Sequence, residues 1–154
     1  VSLSGLTGAS WNFGLSDVLA TDAERLMFTV DSGTVADGGL TVTNAVAFSY
    51  DSDATDVTNF TVCNEIGGTL NTTETTTSAA AVIDAYNVLR IEVDATGDAR
   101  FYVDGALTNT QTLAVATTSL LIPYIGGDSG TDAQTTRTCS IDYVHFSGFR
   151  PAAQ

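Results

Sequence analysis

The stretch of sequence that decides the fold is Tyr86 to Gly105, YNVLRIEVDATGDARFYVDG. It contains two runs in which apolar and polar residues alternate, and a period of two is typical of half-buried antiparallel strands. The residues predicted to face the core are Leu89, Ile91 and Val93 in the first run and Ala99, Phe101 and Val103 in the second. The segment therefore predicts a hairpin with one buried face and one exposed face.

The phase of the two runs restricts the turn between them. A slip of one residue would move every side chain of a strand to the other face, so the apolar sets share a core only if the loop has an odd number of residues. We predict a three-residue loop, Thr96-Gly97-Asp98, because Gly97 can adopt a positive φ. Asp104-Gly105 is typical of a two-residue type I′ turn, which predicts a third strand after it.

The composition is that of an all-β domain. The 154 residues include only two prolines, and threonine is abundant. β-Branched residues fill the strand-like runs, as they do in sheets. A chain of this length can bury about 70% of its unfolded surface, so we predict a single domain over residues 1–154. Because it begins at Val1 without a methionine, we expect a processed or truncated N-terminus.

The charge limits the partners. The formal net charge is −13, and the chain has five arginines and no lysine. Nucleic acids and anionic membranes are bound through cationic side chains, so we predict neither as a partner. An acidic surface can serve solubility alone, or it can belong to the exterior of a particle, where like charges oppose aggregation.

Short strand-like segments separated by polar turns run through the chain, which predicts an antiparallel sandwich or jelly roll. One segment, Ser78 to Leu89, contains helix-forming alanines and could instead form a short helix. The predicted strands are Trp11–Leu15, Leu26–Val30, Leu40–Tyr50, Asn59–Asn64, Thr69–Glu74, Tyr86–Asp94, Ala99–Val103, Ala106–Leu113, Ser119–Ile125 and Thr138–Phe146.

Several of these segments together resemble a known family. They are AVAFSYDSD (Ala45–Asp53), NFTVCNEIGG (Asn59–Gly68), LRIEV followed by RFYVDG, LLIPYIGG (Leu120–Gly127) and SIDYVHF (Ser140–Phe146). In order and character they are similar to concanavalin A-like (laminin G-like) jelly rolls, and in particular to lectin-like domains of structural proteins of tailed bacteriophages. The resemblance extends from Trp11 to Arg150. It implies an all-β, concanavalin A-like jelly-roll β-sandwich with antiparallel strands.

Glucanases of that fold carry an E-x-D-x-x-E strand with a nucleophile, a helper and an acid/base residue. Retaining hydrolysis needs two carboxyl groups about 5–5.5 Å apart. Glu92 and Asp94 match the first two positions, but Gly97 occupies the third. Because the acid/base carboxyl is missing, we predict no enzyme and interpret Glu92 and Asp94 as exposed strand residues.

Histidine and cysteine offer little for catalysis. His145 is the only histidine, no Ser-His-Asp set can be placed around it, and we expect a structural role. Cys63 and Cys139 lie in separate predicted strands and could form one disulfide or remain two buried reduced thiols. One histidine and two distant cysteines cannot build a zinc site, so no cofactor is predicted.

Acidic residues cluster in two predicted loops. Asp51, Asp53 and Asp56 share one loop, and Asp128 and Asp132 share another. Oxygen-rich loops can hold calcium, and laminin G-like domains often hold it at a loop rim. Aspartate also stabilises turns, and no bidentate glutamate stands at a fitting spacing. We therefore predict no metal site.

Four aromatic residues are candidates for a sugar-stacking platform: Tyr50, Tyr102, Tyr124 and Trp11. We favour the alternative that they serve the core or an interface. Strand alternation places Tyr102 beside Leu107 on the face that points away from the core, where the pair would pack on the second sheet or on a neighbouring subunit.

These observations predict a non-enzymatic virion structural protein on the exterior surface of the virion. We expect a capsid decoration (cement) protein, or a related head or tail appendage, of a tailed virus. Its expected partners are capsid or other virion proteins and sister subunits in a homo-oligomer. The alternative is a carbohydrate-binding adhesin module that recognises a host-surface glycan.

Overall fold

The structure is a computed structural model that describes residues 1–4, 10–17, 28–31, 34–37, 43–51, 58–67, 69–70, 75–80, 85–128 and 138–148. All regular structure in these residues is β, and every strand pair is antiparallel, which confirms the predicted class. The described residues contain no helix that could cross a membrane. The strands are β1 (Ser2–Ser4), β2 (Ser10–Ser16), β3 (Phe28–Asp31), β4 (Thr34–Asp37), β5 (Asn44–Asp51), β6 (Asn59–Ile66), β7 (Thr69–Leu70), β8 (Thr75–Ala80), β9 (Leu89–Val93), β10 (Ala99–Val103), β11 (Ala106–Gln111), β12 (Ile122–Asp128) and β13 (Thr138–Ser140).

Two sheets pack face to face as a sandwich. The larger has the strand order β12-β2-β5-β6-β7, with β8 also paired to β6, and the smaller has the order β11-β10-β9. Phe48 of β5 and Phe101 of β10 meet between them edge to face, with ring centroids 5.2 Å apart. The buried cluster comprises Leu3, Phe13, Val46, Phe48, Tyr50, Phe60, Val62, Ala99, Phe101, Val103, Ala114 and Val115.

The middle of the larger sheet is buried on both faces. Every residue of β5 in the range 44–50 is buried, and so is every residue of β6 in the range 60–65. Side chains alternate between the faces of a strand, so an uninterrupted run of buried residues means that neither face is open to water. These two strands therefore form the centre of the fold.

A row of small residues crosses the larger sheet next to Tyr124. The register places Tyr124 beside Gly14, Gly14 beside Ala47, and Ala47 beside Cys63. A Cβ added to Gly14 would lie 2.7 Å from the Ala47 Cβ, so no larger residue fits there. Burial of the Tyr124 hydroxyl, and secondarily the Cys63 thiol, raises the pKa of Tyr124 well above its ordinary value.

The hairpin of β9 and β10 has the predicted phase. The facing pairs are Leu89–Val103, Ile91–Phe101 and Val93–Ala99. The β10 members are fully buried, whereas the β9 members are half-buried against the core. The loop has three residues, as predicted, but they are 95–97 rather than 96–98. The Asp94 N–H donates to the Asp98 carbonyl at 3.0 Å, so the loop begins and ends one residue earlier than predicted.

The second turn also has the predicted form. Asp104 and Gly105 have φ values of 52° and 83°, the left-handed conformation that a type I′ turn requires at both positions. Val103 pairs with Ala106 across the turn. The sequence therefore determines this corner as well as the third strand that follows it.

A β-bulge follows that the sequence did not predict. Tyr102 pairs with Leu107, but Phe101 pairs with Asn109, so Thr108 is an extra residue in β11. The Thr108 hydroxyl donates to the Phe101 carbonyl at 3.1 Å. As a result Asn109 lies opposite a core residue, and its Oδ1 atom is buried without a hydrogen-bond partner in the described part of the chain.

The closing strand ends earlier than predicted. Of the predicted strand Thr138–Phe146, only Thr138–Ser140 is β13, which pairs with β1. Residues 141–148 are exposed and have no regular secondary structure. The pairing of β13 with β1 ends where Ser140 lies opposite Ser2.

Other strand predictions differ at their ends. In the segment that could have formed a helix, residues 78–80 belong to β8 and Leu89 begins β9, and none of its described residues is helical. Residues 81–84 lie outside the described residues, as do parts of three predicted strands, residues 26–27, 40–42 and 71–74.

Candidate functional site

The exposed face of the smaller sheet is the best candidate for a functional site. The register places Arg90 opposite Tyr102 and Glu92 opposite Arg100. It also places Leu107 opposite Tyr102, which confirms the predicted pair. Leu107 is 54% exposed. We call these five residues, Arg90, Glu92, Arg100, Tyr102 and Leu107, the outer face.

Three side chains of the outer face form a closed network. Arg90 Nη1 donates to Glu92 Oε1 at 2.7 Å, and the Tyr102 hydroxyl donates to Glu92 Oε2 at 2.9 Å. The Arg90 guanidinium lies 3.9 Å from the centroid of the Tyr102 ring. The bond to Glu92, followed by burial, raises the pKa of Tyr102. Exposed ion pairs of this kind contribute about 0–1 kcal/mol, so the network orients these side chains more than it stabilises the fold.

Asp94 organises the turn beside the outer face. Its Oδ1 accepts hydrogen bonds from the Thr96 N–H, the Thr96 hydroxyl and the Asp98 N–H, at 3.0, 2.6 and 3.1 Å. Its Oδ2 accepts from Arg100 at 2.9 Å. The bond from the Thr96 hydroxyl is the main cause that lowers the pKa of Asp94 to about 2. This carboxylate is thus engaged on both oxygens.

Gly97 has no room for the carboxyl that the glucanase pattern would need. Its φ is 82°, which is costly for any residue with a Cβ. Its carbonyl accepts from the Val115 N–H at 3.2 Å, and an added Cβ would collide with the Val115 carbonyl oxygen. A glutamate at position 97 is therefore incompatible with this turn.

The four aromatic residues do not form a common platform. Tyr50 is buried in the core against Phe60, with ring centroids 6.1 Å apart. Trp11 packs against the same core, and the Tyr124 hydroxyl is buried. Tyr102 alone lies on the outer face, where Arg90 covers its ring.

The remaining candidates lie apart from one another. His145 is exposed in the segment that follows β13. Cys63 and Cys139 form no disulfide. The Cys63 thiol donates to the Ala47 carbonyl at 3.7 Å, while Cys139 lies opposite Leu3, and burial raises the pKa of its thiol.

The acidic loops fall largely outside the described residues. Asp53, Asp56 and Asp132 lie outside them, and the side chains of Asp51 and Asp128 are not described. Among the residues that the structure describes, there is no cluster of His, Cys, Asp and Glu side chains that could hold a metal ion.

Two buried asparagines that sequence analysis missed hold the loop after β11. Asn64 Nδ2 donates to the Ala114 carbonyl at 3.0 Å, and Asn44 Oδ1 accepts from the Ala116 N–H at 2.8 Å. Asn44 Nδ2 in turn donates to Asp17 at 3.0 Å. Burial raises the pKa of Asp17, but hydrogen bonds from Asn44 and its neighbours outweigh it and lower the pKa overall. The available signal was a polar residue at a core-facing position of a predicted strand.

Comparison of the sequence with protein-family models finds no match, and comparison with curated proteins finds none either. The candidate function therefore depends on the geometry described above and on the sequence.

Proposed function

We propose that the protein is a non-enzymatic virion structural protein, a capsid decoration protein or a related head or tail appendage of a tailed virus, built on a concanavalin A-like jelly roll. The observation that carries the proposal is the outer face, where a fixed Arg–Glu–Tyr network flanks an exposed leucine. The proposed work of this face is to bind the capsid surface.

The outer face has the composition of a binding surface. Arginine and tyrosine are enriched in protein interfaces, and here Arg90 and Tyr102 are already held by Glu92. Binding costs free energy when mobile side chains must be ordered. A face whose polar side chains are ordered in advance loses less on docking, and Leu107 offers apolar area beside them.

The charge of the outer face also favours contact. The chain carries a net charge of −13, so most of its surface would repel another acidic surface. Arg90 pairs with Glu92 on the outer face, and Arg100 pairs with Asp94 in the turn beside it, so the local charge is balanced. Contact here does not bring uncompensated like charges together.

Cosedimentation with native particles stripped of this protein tests the proposal. The wild-type chain is expected to rebind, and Leu107→Glu is expected to weaken binding at least tenfold, because it places a charge in the contact. Leu120→Glu is the matched control, since Leu120 is 74% exposed and lies outside the outer face.

Two results would contradict the proposal. The wild-type chain could fail to rebind particles, or the two variants could bind equally. Reproducible binding on a glycan array that disappears in Arg90→Ala would instead support the adhesin alternative.

A further inference from the structure

Leu113, which follows β11, has a backbone conformation that is unusual for leucine. Its φ is 50°, and among the described residues the only other non-glycine residue with a positive φ is Asp104, in the type I′ turn. The left-handed region crowds the Cβ atom and is common only for glycine, with asparagine and aspartate next. Leucine at this position therefore costs conformational free energy that glycine or asparagine would largely avoid.

The fold uses the backbone conformation at position 113 but not the leucine side chain. The next two residues, Ala114 and Val115, are buried, so the chain turns at Leu113 from the exposed end of β11 into the core. The Leu113 side chain is 65% exposed and does not belong to the core cluster. Because strained residues of this kind persist mainly where function retains them, the side chain itself is the feature to explain.

The chain presents Leu113 from backbone that is held on both sides. The Leu113 N–H donates to Asp98 Oδ1 at 2.8 Å. The Ala114 carbonyl, directly after it, accepts from Asn64 Nδ2 at 3.0 Å. Binding costs free energy when a mobile loop must be ordered, so an apolar side chain on this fixed backbone loses little on contact with a partner.

Leu113 lies at one end of the outer face, and Leu107 lies at the other. Thr110 is paired with Arg100, and Leu113 follows three residues later, beside the turn that carries Asp98. At about 3.3 Å per residue of extended chain, the two leucines are at most about 20 Å apart. A standard interface covers about 800 Å² on each partner, which is wide enough to include both leucines.

We infer that Leu113 is a second apolar contact residue of the surface that binds the capsid, and that it enters an apolar pocket of the capsid protein. The pocket is apolar because a leucine side chain offers no hydrogen bond. Leu107 and Leu113 contact the partner at the two ends of the outer face, and the Arg–Glu–Tyr network lies between them. The inference deepens the proposed function and rests on it, since it adds a residue to the same docking surface.

Substitutions that suit the left-handed backbone separate binding from folding. Leu113→Gly and Leu113→Asn are expected to unfold at the urea concentration of the wild-type protein or at a higher one, because glycine and asparagine adopt a positive φ more readily than leucine. A loss of binding in these variants therefore cannot be attributed to unfolding.

Cosedimentation with native particles stripped of this protein measures the contact. Leu113→Asn is expected to weaken binding about tenfold or more, since burial of an exposed leucine side chain contributes that much. Leu113→Met keeps an apolar side chain and should bind like the wild-type protein. Leu120→Asn is the matched control and should also bind like the wild-type protein, because Leu120 is an exposed leucine in the same connection between β11 and β12 but its φ is not positive.

Two results would overturn the inference. One is that Leu113→Asn binds particles as tightly as the wild-type protein, and the other is that Leu113→Gly and Leu113→Asn both unfold at clearly lower urea concentrations, which would show that the leucine serves the fold. Weakening by Leu107→Glu without weakening by Leu113→Asn would refute only this inference. A wild-type chain that does not rebind particles would refute the proposed function, and this inference with it.

Discussion

Replacing Phe101 with alanine should lower the free energy of unfolding by about 3–5 kcal/mol, because a buried ring is removed and a cavity remains. The ring is fully buried between the two sheets. It also meets Phe48 edge to face, with centroids 5.2 Å apart and an interplanar angle of 87°. Such a pair contributes about 0.5–1.5 kcal/mol beyond the buried area.

Thermal and urea unfolding measure the effect. At this chain length, 1 kcal/mol corresponds to about 2–4 °C in Tm, so the loss should be about 6–20 °C. A double-mutant cycle of Phe48→Leu and Phe101→Leu should give a coupling of about 0.5–1.5 kcal/mol. Leu107→Ala is the control, since exposed substitutions usually change stability by less than about 0.5 kcal/mol.

Two outcomes would refute this reasoning. If Phe101→Ala has the same Tm as the wild-type protein, the assigned phase of the hairpin is wrong. If Phe48→Leu and Phe101→Leu are strictly additive, the two rings do not meet and the sheets do not face each other at this point.

Four further predictions follow from the same contacts. Gly97→Ala should destabilise the protein more than Gly105→Ala in urea unfolding. The two glycines have nearly the same φ, 82° at Gly97 and 83° at Gly105, but only Gly97 faces a carbonyl oxygen, that of Val115. An equal loss of unfolding free energy in both variants would show that this close approach is absent. The pKa of Asp94 falls from 3.8 to about 2 on folding, so its stabilising effect is complete above pH 4 and is lost as the pH falls through 2. Tm should therefore drop less steeply between pH 5 and pH 2 in Asp94→Asn than in the wild-type protein. Parallel curves of Tm against pH would contradict this. The chain should release no reducing sugar from β-glucans, and turnover that disappears in Glu92→Gln would sink the non-enzymatic proposal. Raising the salt concentration should leave the association of sister subunits intact or strengthen it in sedimentation, since salt screens repulsion between acidic copies within about 8–10 Å. Dissociation by salt would show that ion pairs hold the subunits together.

The sequence predicts which residues of the hairpin face the core, because side chains alternate between the two faces of a strand. Alternation fixed which residues of β9 and β10 face the core, and the odd loop length followed. It could not fix the register, because a shift of two residues preserves the faces. Asp94 decides between the two registers by accepting hydrogen bonds from Thr96 and Asp98. This is a local side-chain contact, and the alternation of apolar and polar residues does not encode it.

Other features depend on contacts that no periodicity encodes. The bulge at Thr108 moves Asn109 and Gln111 to the core-facing side. Residues 108–111 are all polar, so the sequence does not show which of them face the core. The sequence predicts that the last strand continues through residues 141–146, but β13 ends at Ser140, and periodicity does not show whether a partner strand lies beside a segment. The pairing of Tyr102 with Leu107 on the outer face was predictable from alternation. The position of Arg90 over the Tyr102 ring was not, because it depends on the side-chain conformation of Arg90.

The burial of β5 and β6 on both faces has a consequence for amide hydrogen exchange. Amides in such central strands exchange only when the whole domain opens, so their protection should report the global free energy of unfolding. The amides of residues 141–148 donate no backbone hydrogen bond within the described chain and should exchange almost as fast as in a peptide. One exchange experiment would thus measure global unfolding at β5 and β6 and local opening at residues 141–148.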